Sequence, residues 1–522
     1  MTTHFGRRTY VSRLNPLASC LAMALAVGSG STTAADLASH STAPAIAAML
    51  DRFKHVLEPG TAIRRPALPV EPRWHRTPHA DRQVPAGAIP VSNCDDDGAG
   101  SLRDAINNIA VSGDTIDLTN TGCSTITLTT AALFMGQDDL TLQGPTSGGL
   151  FIDGDNAFSP LRHTGSGNLA VYDLAIGNGL KYLDSSYNLP ARGGCIYSTG
   201  SVTLADSSVK YCNALVDNPD YNSIGGAIFA TGGIVMTNSS VILGFAGDAT
   251  HTGIGGGVYT PGLLLMSDSY IAASSATLAG GFVAVDGFVS KYSSVSGNSA
   301  YIAGAGYGIG NVFIQNSTIS NNTADAIVGG LFLIGTTATT APLTLVNSTI
   351  SGNSAQAIAG IAITGYPARI GNSTIAFNTE ANASDTKYGA GLYTNVPTEL
   401  QSSIITNNTL THSVYGPQYD DIGGGTGAVL TGANNLTQLS LVTPPADTLY
   451  GDPMLNSLDF NGGTTATHAL RPHSIAIDAG NNVAGYDYDQ RGAGFPRVIG
   501  ANADIGAFEF DLDDLIFANG FD

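Results

Sequence analysis

Several charged side chains lie close together in the sequence between residues 192 and 220 and could bind a charged ligand. Two of them are basic, Arg192 and Lys210, and three are acidic, Asp206, Asp217 and Asp220. Carboxylates bind cations, and guanidinium and ammonium groups bind the acidic groups of sugars. Charged loops that simply face solvent have the same composition, and this simpler interpretation is favoured. We therefore take the five residues as a candidate binding site for a cation or an anionic sugar.

Two acidic runs nearer the N-terminus could bind calcium. They are Asp-Asp-Asp at 95–97 and Asp-Gly-Asp at 153–155. Neither run follows the spacing of an EF-hand loop, and aspartates also stabilise tight turns by accepting backbone hydrogen bonds. Turn formation is the favoured interpretation. We therefore expect no cofactor, with Ca2+ as the alternative.

A second polar set lies in glycine-rich sequence near the C-terminus. Its members are Asp478, Asp489, Arg491, Asp504 and Glu509. An ion pair of Arg491 with these carboxylates would hold the C-terminal segment together, because a guanidinium group can bond one carboxylate through two N–H groups. This structural role is favoured over a catalytic one, so no catalytic residue is predicted.

The cysteines indicate disulfide bonds. Beyond the first 35 residues the chain contains Cys94, Cys123, Cys195 and Cys212. An exported chain meets oxidising conditions, and four cysteines can pair in three ways. Proximity in the sequence favours Cys94–Cys123 and Cys195–Cys212. A metal site is less favoured, because no CxxC spacing occurs and no histidine lies beside these residues.

Composition favours many short strands joined by turns. The chain has 522 residues, of which 65 are glycine, and only 12% are charged. The strong helix formers Lys, Glu, Gln and Arg are scarce, so a helical bundle is not expected. Residues 91–522 carry 11 basic and 36 acidic side chains. This negative charge repels nucleic acid and anionic membranes, which leaves glycans and host or cell-surface components as expected partners.

The N-terminus predicts export. Residues 1–35 contain Arg7, Arg8 and Arg13, then an apolar stretch over 17–27 that is too short to span a bilayer, then small residues. This pattern is typical of a signal peptide, and a Sec signal is favoured over a twin-arginine one. Residues 36–90 contain eight prolines and read as a linker. We expect an extracellular, cell-surface or outer-membrane-associated protein without a transmembrane segment in the mature chain.

A sequence repeat covers residues 190–410. Each repeat has a glycine-rich pair followed by apolar residues, and then a motif similar to Asn-Ser-Thr-Ile-Ser-x-Asn. The second residue of this motif recurs about every 28 residues. The aligned residues are Ser207, Ser239, Asp268, Ser293, Ser317, Ser348, Ser373 and Ser402. No repeat contains a helical pattern, and each contains two or three short β-branched runs, so a parallel β-helix is predicted. Its coils are expected over residues 126–450.

One asparagine column supports this architecture. Five asparagines each follow an aligned Val or Ile by three residues, namely Asn298, Asn322, Asn353, Asn378 and Asn408. Asparagine tolerates the left-handed conformation of a sharp bend, and stacked coils would place these amides about 4.8 Å apart. We therefore predict a hydrogen-bonded ladder with the bend at each asparagine.

Two segments resemble known bacterial families. Residues 101–106, Ser-Leu-Arg-Asp-Ala-Ile, resemble the CSLREA segment that opens many bacterial surface β-helix proteins, although Gly100 replaces its usual cysteine. Residues 452–509 resemble the choice-of-anchor Q domain, through Asn461-Gly-Gly-Thr, Asp489-Gln-Arg-Gly492 and Asp504-Ile-Gly-Ala-Phe-Glu509. The glycine-rich repeat is distantly similar to that of chlamydial polymorphic outer-membrane proteins. The resemblance implies a right-handed, pectin-lyase-like β-helix that a Gram-negative bacterium secretes or displays on its surface.

These comparisons divide the chain and narrow its function. We predict a signal peptide at 1–35, a linker at 36–90, caps at 91–125 and 451–510, coils at 126–450 and a tail at 511–522. A structural or adhesin-like binding role is favoured, because bases are sparse and no paired catalytic residues occur between residues 190 and 410. The alternative is a polysaccharide lyase or glycoside hydrolase acting on an acidic glycan on the same fold.

Overall fold

The described part of the chain is a right-handed parallel β-helix. A computed structural model describes residues 82–512, apart from 147–148, 185, 188, 219, 249–250, 337, 382–386 and 413–415. The predicted signal peptide, linker residues 36–81 and tail residues 513–522 lie outside the described residues. Short strands form long parallel sheets as the chain winds, which confirms the predicted fold class. Among the described residues, no helix has the length and apolar character needed to cross a bilayer.

Each coil crosses three sheets in a fixed order. In the coil that starts at residue 306, Gly306–Ile309 lies in the second sheet and Val312–Gln315 in the first. Thr318–Ser320 and Thr323–Ala324 then lie in the third sheet. Corresponding strands of successive coils pair in parallel, as Gly306 does with Leu331. Each backbone therefore bonds to the coil before it and the coil after it.

The first two sheets have uninterrupted strand order. In the described residues, the first sheet consists of Ile89–Pro90, Asp114–Asp117, Leu140–Gln143, Asn168–Tyr172, Ser201–Ala205, Gly233–Thr237, Leu263–Ser267, Phe288–Lys291, Val312–Gln315, Leu343–Val346, Ala368–Gly371, Pro397–Gln401 and Val429–Ala433. The second sheet consists of Leu133–Met135, Leu161–His163, Ile196–Ser198, Ile228–Ala230, Val258–Thr260, Phe282–Ala284, Gly306–Ile309, Leu331–Ile334, Ile361–Thr364, Leu392–Thr394 and Ile422–Gly424.

The third sheet is formed mostly by short strands, which in the later coils lie on either side of a second bend. Its strands are Thr125–Thr127, Leu150–Asp153, Leu174–Leu183, Ser208–Val216, Ser240–Ala246, Tyr270–Ala272, Ser275–Ala276, Ser294–Ser296, Ser299–Ala300, Thr318–Ser320, Thr323–Ala324, Thr349–Ser351, Ser354–Ala355, Thr374–Ala376, Thr379–Glu380, Ile404–Thr406, Thr409–His412, Gly416–Tyr419, Leu436–Thr437 and Leu449–Tyr450. Gly416–Tyr419 pairs antiparallel to Thr409–His412. Two small sheets are Ala191–Arg192 with Ser223–Ile224 and Gly253–Ile254, and Leu455–Asp459 with Thr467–Leu470.

One apolar core fills the interior of the coils. Inward side chains stack in columns, such as Ile314, Leu345 and Ile370 of the first sheet, which are at most 1% exposed. The core extends without interruption from Val91 to Leu430. Since every coil buries its inward residues against two neighbours, the stability of the stack is approximately a sum over adjacent coils.

The corner between the first and third sheets is left-handed. Its residues have φ between 44° and 57° and are Asp206, Asn238, Asp268, Tyr292, Asn316, Asn347, Asn372, Ser402 and Asn434. At eight of these nine corners the next residue is a buried serine whose Oγ accepts a backbone N–H from the preceding coil, as Ser348 does from Ser317. After Asn434 the next residue is Asn435, whose Oδ1 accepts the N–H of Ser403. The predicted alignment was wrong by one residue in two repeats. Ser269 and Ser403 lie in the serine column, and Asp268 and Ser402 precede it. Polar residues occupy both neighbouring positions there, so the repeat alone did not fix the alignment.

The asparagine ladder lies at the second bend, within the third sheet. Asn298, Asn322, Asn353 and Asn378 each donate from Nδ2 to the Oδ1 of the next asparagine, over 2.8–2.9 Å. Asn408 ends the column and donates to the buried carboxylate of Asp421.

The bend itself lies one residue earlier than predicted. The left-handed residues are Gly297, Asn321, Gly352, Phe377 and Asn407, with φ between 56° and 66°. The prediction that the ladder asparagines take this conformation is therefore wrong. The preceding residue makes the bend, which turns each asparagine side chain inward to bond its neighbours.

A short helix covers the N-terminal end of the stack. Ser101 caps it by accepting the N–H of Asp104 over 3.1 Å, and Leu102–Asp104 continues into a wide π-helical turn at Ala105–Ile109. Leu102, Ala105 and Ile106 are buried in the core. The helical spacing of Leu102, Ala105, Ile106 and Ile109 in the sequence predicts one apolar stripe, but Ile109 is 54% exposed because the π-helical turn changes the residue spacing.

The C-terminal segment lies along the side of the stack. We expected residues 451–510 to cover the apolar interior of the last coil. The structure instead places their described part against the left-handed corners of several coils. Asn316, Asn372 and Asn434 donate from Nδ2 to carbonyl groups of this segment, over 2.9–3.1 Å. At the last coil, Val442 packs against the core. We call residues 452–510 the C-terminal module.

Candidate functional site

An outward column of aromatic and basic side chains crosses the N-terminal half of the second sheet. Phe134, Arg162, Tyr197, Phe229 and Tyr259 occupy equivalent positions on consecutive strands. In the first three of these strands, the residues on either side face inward and are buried. Alternation along a strand therefore directs these five side chains to the outer face of the sheet, where Phe229 and Tyr259 are covered by a second apolar cluster and are 2% exposed.

The rings form a stack that holds two guanidinium groups. The rings of Tyr197 and Phe229 lie 5.5 Å apart and 8° from parallel, and Phe229 stacks equally on Tyr259. The Cζ of Arg162 lies 4.4 Å from the centre of the Tyr197 ring, and that of Arg192 lies 5.0 Å from the centre of Phe229. Planar guanidinium groups bind aromatic faces by stacking and cation–π attraction. The two cations thus follow one another along the axis of the β-helix.

A lateral arm supplies Arg192 and a third cation, Lys181. Three strands of the third sheet are unusually long here, at ten residues for Leu174–Leu183, nine for Ser208–Val216 and seven for Ser240–Ala246. The chain returns through the small parallel sheet that includes Ala191–Arg192. The arm has its own apolar cluster of Leu183, Ala191, Ala214 and Val216. Both basic residues are therefore carried by regular strands.

We call Phe134, Arg162, Lys181, Arg192 and Tyr197 the arginine–aromatic site. Its three cations are partly buried, whereas Phe134 is 58% exposed. The Nη1 of Arg162 lies 3.4 Å from the carbonyl oxygen of Arg192, which joins the two coils. The Nε of Arg192 is buried and has no hydrogen-bond partner among the described residues.

The three cations have no carboxylate partner. Within the described residues, no Asp or Glu oxygen lies within 4.0 Å of the charged nitrogen atoms of Arg162, Lys181 or Arg192. Five of the eight arginines in this part of the chain do form such ion pairs, namely Arg82, Arg103, Arg369, Arg491 and Arg497. The site is thus locally basic on an acidic protein.

Burial lowers the basicity of Arg162 and Lys181. Burial lowers the pKa of the Arg162 guanidinium from its ordinary value. Burial, followed by the positive charge of Arg162, also lowers the pKa of the Lys181 ammonium. Both groups lie where little water can stabilise their charge, and Lys181 also lies near the like charge of Arg162. An anion bound between these groups would reverse the second effect and favour the charged form of Lys181.

A disulfide bond lies beside the site. Cys195 follows Arg192 by three residues and is bonded to Cys212, with a Cα–Cα distance of 5.4 Å. Cys212 occupies the position that Ser274 and Asn298 take in later coils. In this coil a covalent bond therefore replaces a rung of the polar ladder and fixes the strand that carries Lys210 to the turn after Arg192. Cys94–Cys123 is the second disulfide bond, near the N-terminal helix.

The structure does not bring the five predicted binding residues together. Arg192 belongs to the arginine–aromatic site. Asp206 lies at a left-handed corner and pairs with Arg82, at 3.7 Å. Lys210 lies over the ring of Phe151, and Asp217 accepts a hydrogen bond from Tyr182. The backbone N–H of Asp220 bonds to Asn218. Each of the other four therefore has a separate local role.

The acidic runs at 95–97 and 153–155 make local contacts. Asp96 bonds Arg103 and the backbone N–H groups of Thr129 and Thr130. Burial opposes ionisation there, but these bonds lower the pKa of Asp96 to about 2. Asp153 accepts the N–H of Asp155 over 2.9 Å. In the ranges that the structure describes, no three His, Cys, Asp or Glu side chains are arranged to hold a metal ion.

The C-terminal polar set forms a buried charge cluster. Arg491 pairs with Asp489 at 2.8 Å, and its Nη2 donates to the carbonyl of Glu509. Asp504 accepts the N–H groups of Asp478 and Phe510. Arg497, which the sequence did not single out, pairs with Glu509 at 3.3 Å and is 1% exposed. These contacts join distant turns of the module, and none reaches the arginine–aromatic site.

Phe134, Arg162, Lys181 and Tyr197 were missed from the sequence. The signal was present as the triplets Leu-Phe-Met, Leu-Arg-His and Ile-Tyr-Ser, in which the middle residue of a three-residue strand faces outward. The coils before residue 190 lack the regular motif. Without the register between strands, these three middle residues cannot be placed side by side.

Comparisons with known proteins show only a distant structural similarity. No protein-family model matches the sequence, and no curated protein matches it. The solved structure of pectate lyase Pel9A is similar over 81% of this chain and 97% of its own, with 12% sequence identity and a TM-score of 0.39. Similarity at this level bears on neither activity nor ligand. The CSLREA-like and choice-of-anchor Q-like segments stay predictions.

Proposed function

We propose that the protein is an exported, cell-surface or secreted β-helix protein that binds glycans through the arginine–aromatic site. The single observation that carries this proposal is the exposed ring of Phe134, which lies beside Arg162 on the next strand, within a group of cations that has no carboxylate partner among the described residues. An exposed ring offers an apolar face to a sugar, and fixed N–H donors beside it can bond sugar oxygens. Export is proposed from the sequence of residues 1–35.

The supporting strands favour binding by a preorganised surface. Phe134, Arg162 and Tyr197 lie on consecutive strands of one sheet, and Arg162 is oriented by the ring of Tyr197. Little conformational entropy is then lost when a ligand binds, so more of the contact energy is retained as affinity. An adhesin-like role requires this kind of surface and no reacting groups.

A glycan panel tests the proposal. The purified chain should bind at least one soluble glycan, and F134A should bind it about tenfold more weakly, since a central aromatic contact is commonly worth this much. The matched control is Y450A, which removes an aromatic ring that is 61% exposed near the last coil. Y450A should bind as the wild type does.

Two results bear on the alternatives. Failure of the wild type to bind any glycan of the panel would contradict the proposal. Shortened oligosaccharides in the same mixtures would instead support a polysaccharide lyase or glycoside hydrolase.

A further inference from the structure

We propose that the ligand of the arginine–aromatic site is an extended anionic polysaccharide, bound along the axis of the β-helix. Its carboxylate or sulfate groups would contact Arg162, Lys181 and Arg192, and one of its sugar rings would stack on Phe134. This inference rests on the proposed glycan binding and specifies the chemical class of the glycan.

The direction of the ligand follows from the direction of the column. Phe134, Arg162 and Tyr197 succeed one another across adjacent coils, and Arg192 lies over the next ring of the stack. Successive rings in this stack are 5.5 Å apart. A ligand with a repeating charge that runs across the coils can contact Arg162 and Arg192 through successive anionic groups.

The charge of the ligand follows from what the site lacks. The three partly buried cations have no carboxylate partner among the described residues, and the Nε of Arg192 has no acceptor there. A buried donor without a partner is unfavourable. Like charges also repel each other more strongly where little water screens them. A carboxylate or sulfate would supply acceptors and neutralise the charge, whereas a neutral sugar would supply acceptors only.

The remainder of the protein limits which polyanions can bind. Residues 91–522 carry an excess of acidic side chains, so a long chain with dense charge is repelled outside the site. Nucleic acid carries one phosphate per nucleotide along its entire length, and its binding depends on neutralising many of them. A polysaccharide with one charge per sugar or fewer, and an uncharged face for Phe134, fits the site better.

Matched oligosaccharides test the inference by calorimetry or fluorescence anisotropy. The probes are a polygalacturonate oligomer, its fully methyl-esterified form, a chondroitin sulfate oligomer and single-stranded DNA of similar length. A charged oligosaccharide should bind at least about tenfold more tightly than the neutral ester, which is the effect expected of one charge-assisted contact. Raising the salt concentration from about 50 mM to about 500 mM should weaken the binding of the charged oligosaccharide and leave the binding of the ester unaffected.

Charge-removing variants locate the effect. R162Q and K181Q should each weaken the binding of the charged oligosaccharide about tenfold or more. The affinity for the methyl ester should stay within about twofold of the wild-type value. R162K keeps the charge but loses the planar stacking on Tyr197, so its affinity for the charged oligosaccharide should be intermediate. If R162Q does not fold, R162K tests the role of Arg162 in its place. The matched control is K291Q, because Lys291 is an exposed cation of the first sheet. K291Q should bind every probe as the wild type does.

The outcomes separate this inference from the proposed function. Equal binding of charged and neutral oligosaccharides, or unchanged affinity in R162Q and K181Q, overturns the anionic class but leaves glycan binding intact. Binding of single-stranded DNA more tightly than any oligosaccharide also overturns it. If none of the oligosaccharides binds while the glycan panel finds another ligand, the anionic class is wrong and the proposed function stands.

Discussion

Replacing Asn353 with alanine should reduce the free energy of unfolding by about 3–5 kcal/mol, because each buried polar group left without a partner costs about 1–3 kcal/mol. The Asn353 side chain is fully buried. Its Oδ1 accepts both the backbone N–H and the Nδ2 of Asn322, and its Nδ2 donates to the Ile319 carbonyl and to Asn378. Alanine removes all four bonds and leaves a cavity in the middle of the ladder.

Urea unfolding and limited proteolysis measure this effect. The control is N120A, because Asn120 is exposed and, within the described residues, its side chain bonds only the adjacent Thr119. N120A should stay within about 0.5 kcal/mol of the wild type. In N353A, protease should cut first in the coils on either side of residue 353, since neighbouring coils support one another. A loss of less than about 1 kcal/mol would contradict the structural role of the ladder.

The stability of the C-terminal module should decrease as the pH rises through about 7. Burial raises the pKa of the Glu509 carboxyl to about 7, although the nearby Arg497 opposes this shift. Asp504 adds negative charge to the same cluster. The folded module therefore binds a proton on Glu509 that the unfolded chain, with a pKa near 4.5, releases at lower pH. The stabilisation is fully present below about 4.5, decreases above it and is lost above about 7. Its magnitude is at most about 3 kcal/mol.

Comparison with E509Q isolates the titration of Glu509 together with that of the Asp504 carboxyl, whose pKa burial also raises and which interacts with Glu509. His468 titrates in the opposite sense, because burial lowers its pKa and acid then destabilises the folded module. That contribution is the same in both proteins and cancels in their difference. The unfolding free energy of the wild type minus that of E509Q, measured by urea at several pH values, should fall between pH 4.5 and 7. A difference that does not change with pH would show that Glu509 has the same pKa in both states.

The coil architecture was predictable because the repeat reports the packing of adjacent coils. Isoleucine at positions such as Ile319, Ile350 and Ile375 recurs with the same neighbours, and each is buried in the same column. The exact bends were not predictable in the same way. Polar residues such as Asn321 and Asn322 are adjacent, and only the backbone shows that the first is left-handed and the second points inward.

The placement of the C-terminal module and of the arginine–aromatic site depends on contacts that the sequence does not encode locally. Asn316 bonds the backbone of Asp489, 173 residues away. Arg162 and Arg192 are 30 residues apart and meet only because the arm returns its strand to the second sheet. In each case, local patterns identify the strands but do not determine their partners.

The most direct test of the account is a crystal structure of the chain with an acidic oligosaccharide of about six sugars bound. The account predicts that the ligand lies across the coils of the second sheet, with one sugar ring against Phe134 and anionic groups at Arg162 and Arg192. A ligand found on the outer face of the first sheet, or against the C-terminal module with the arginine–aromatic site empty, would contradict it.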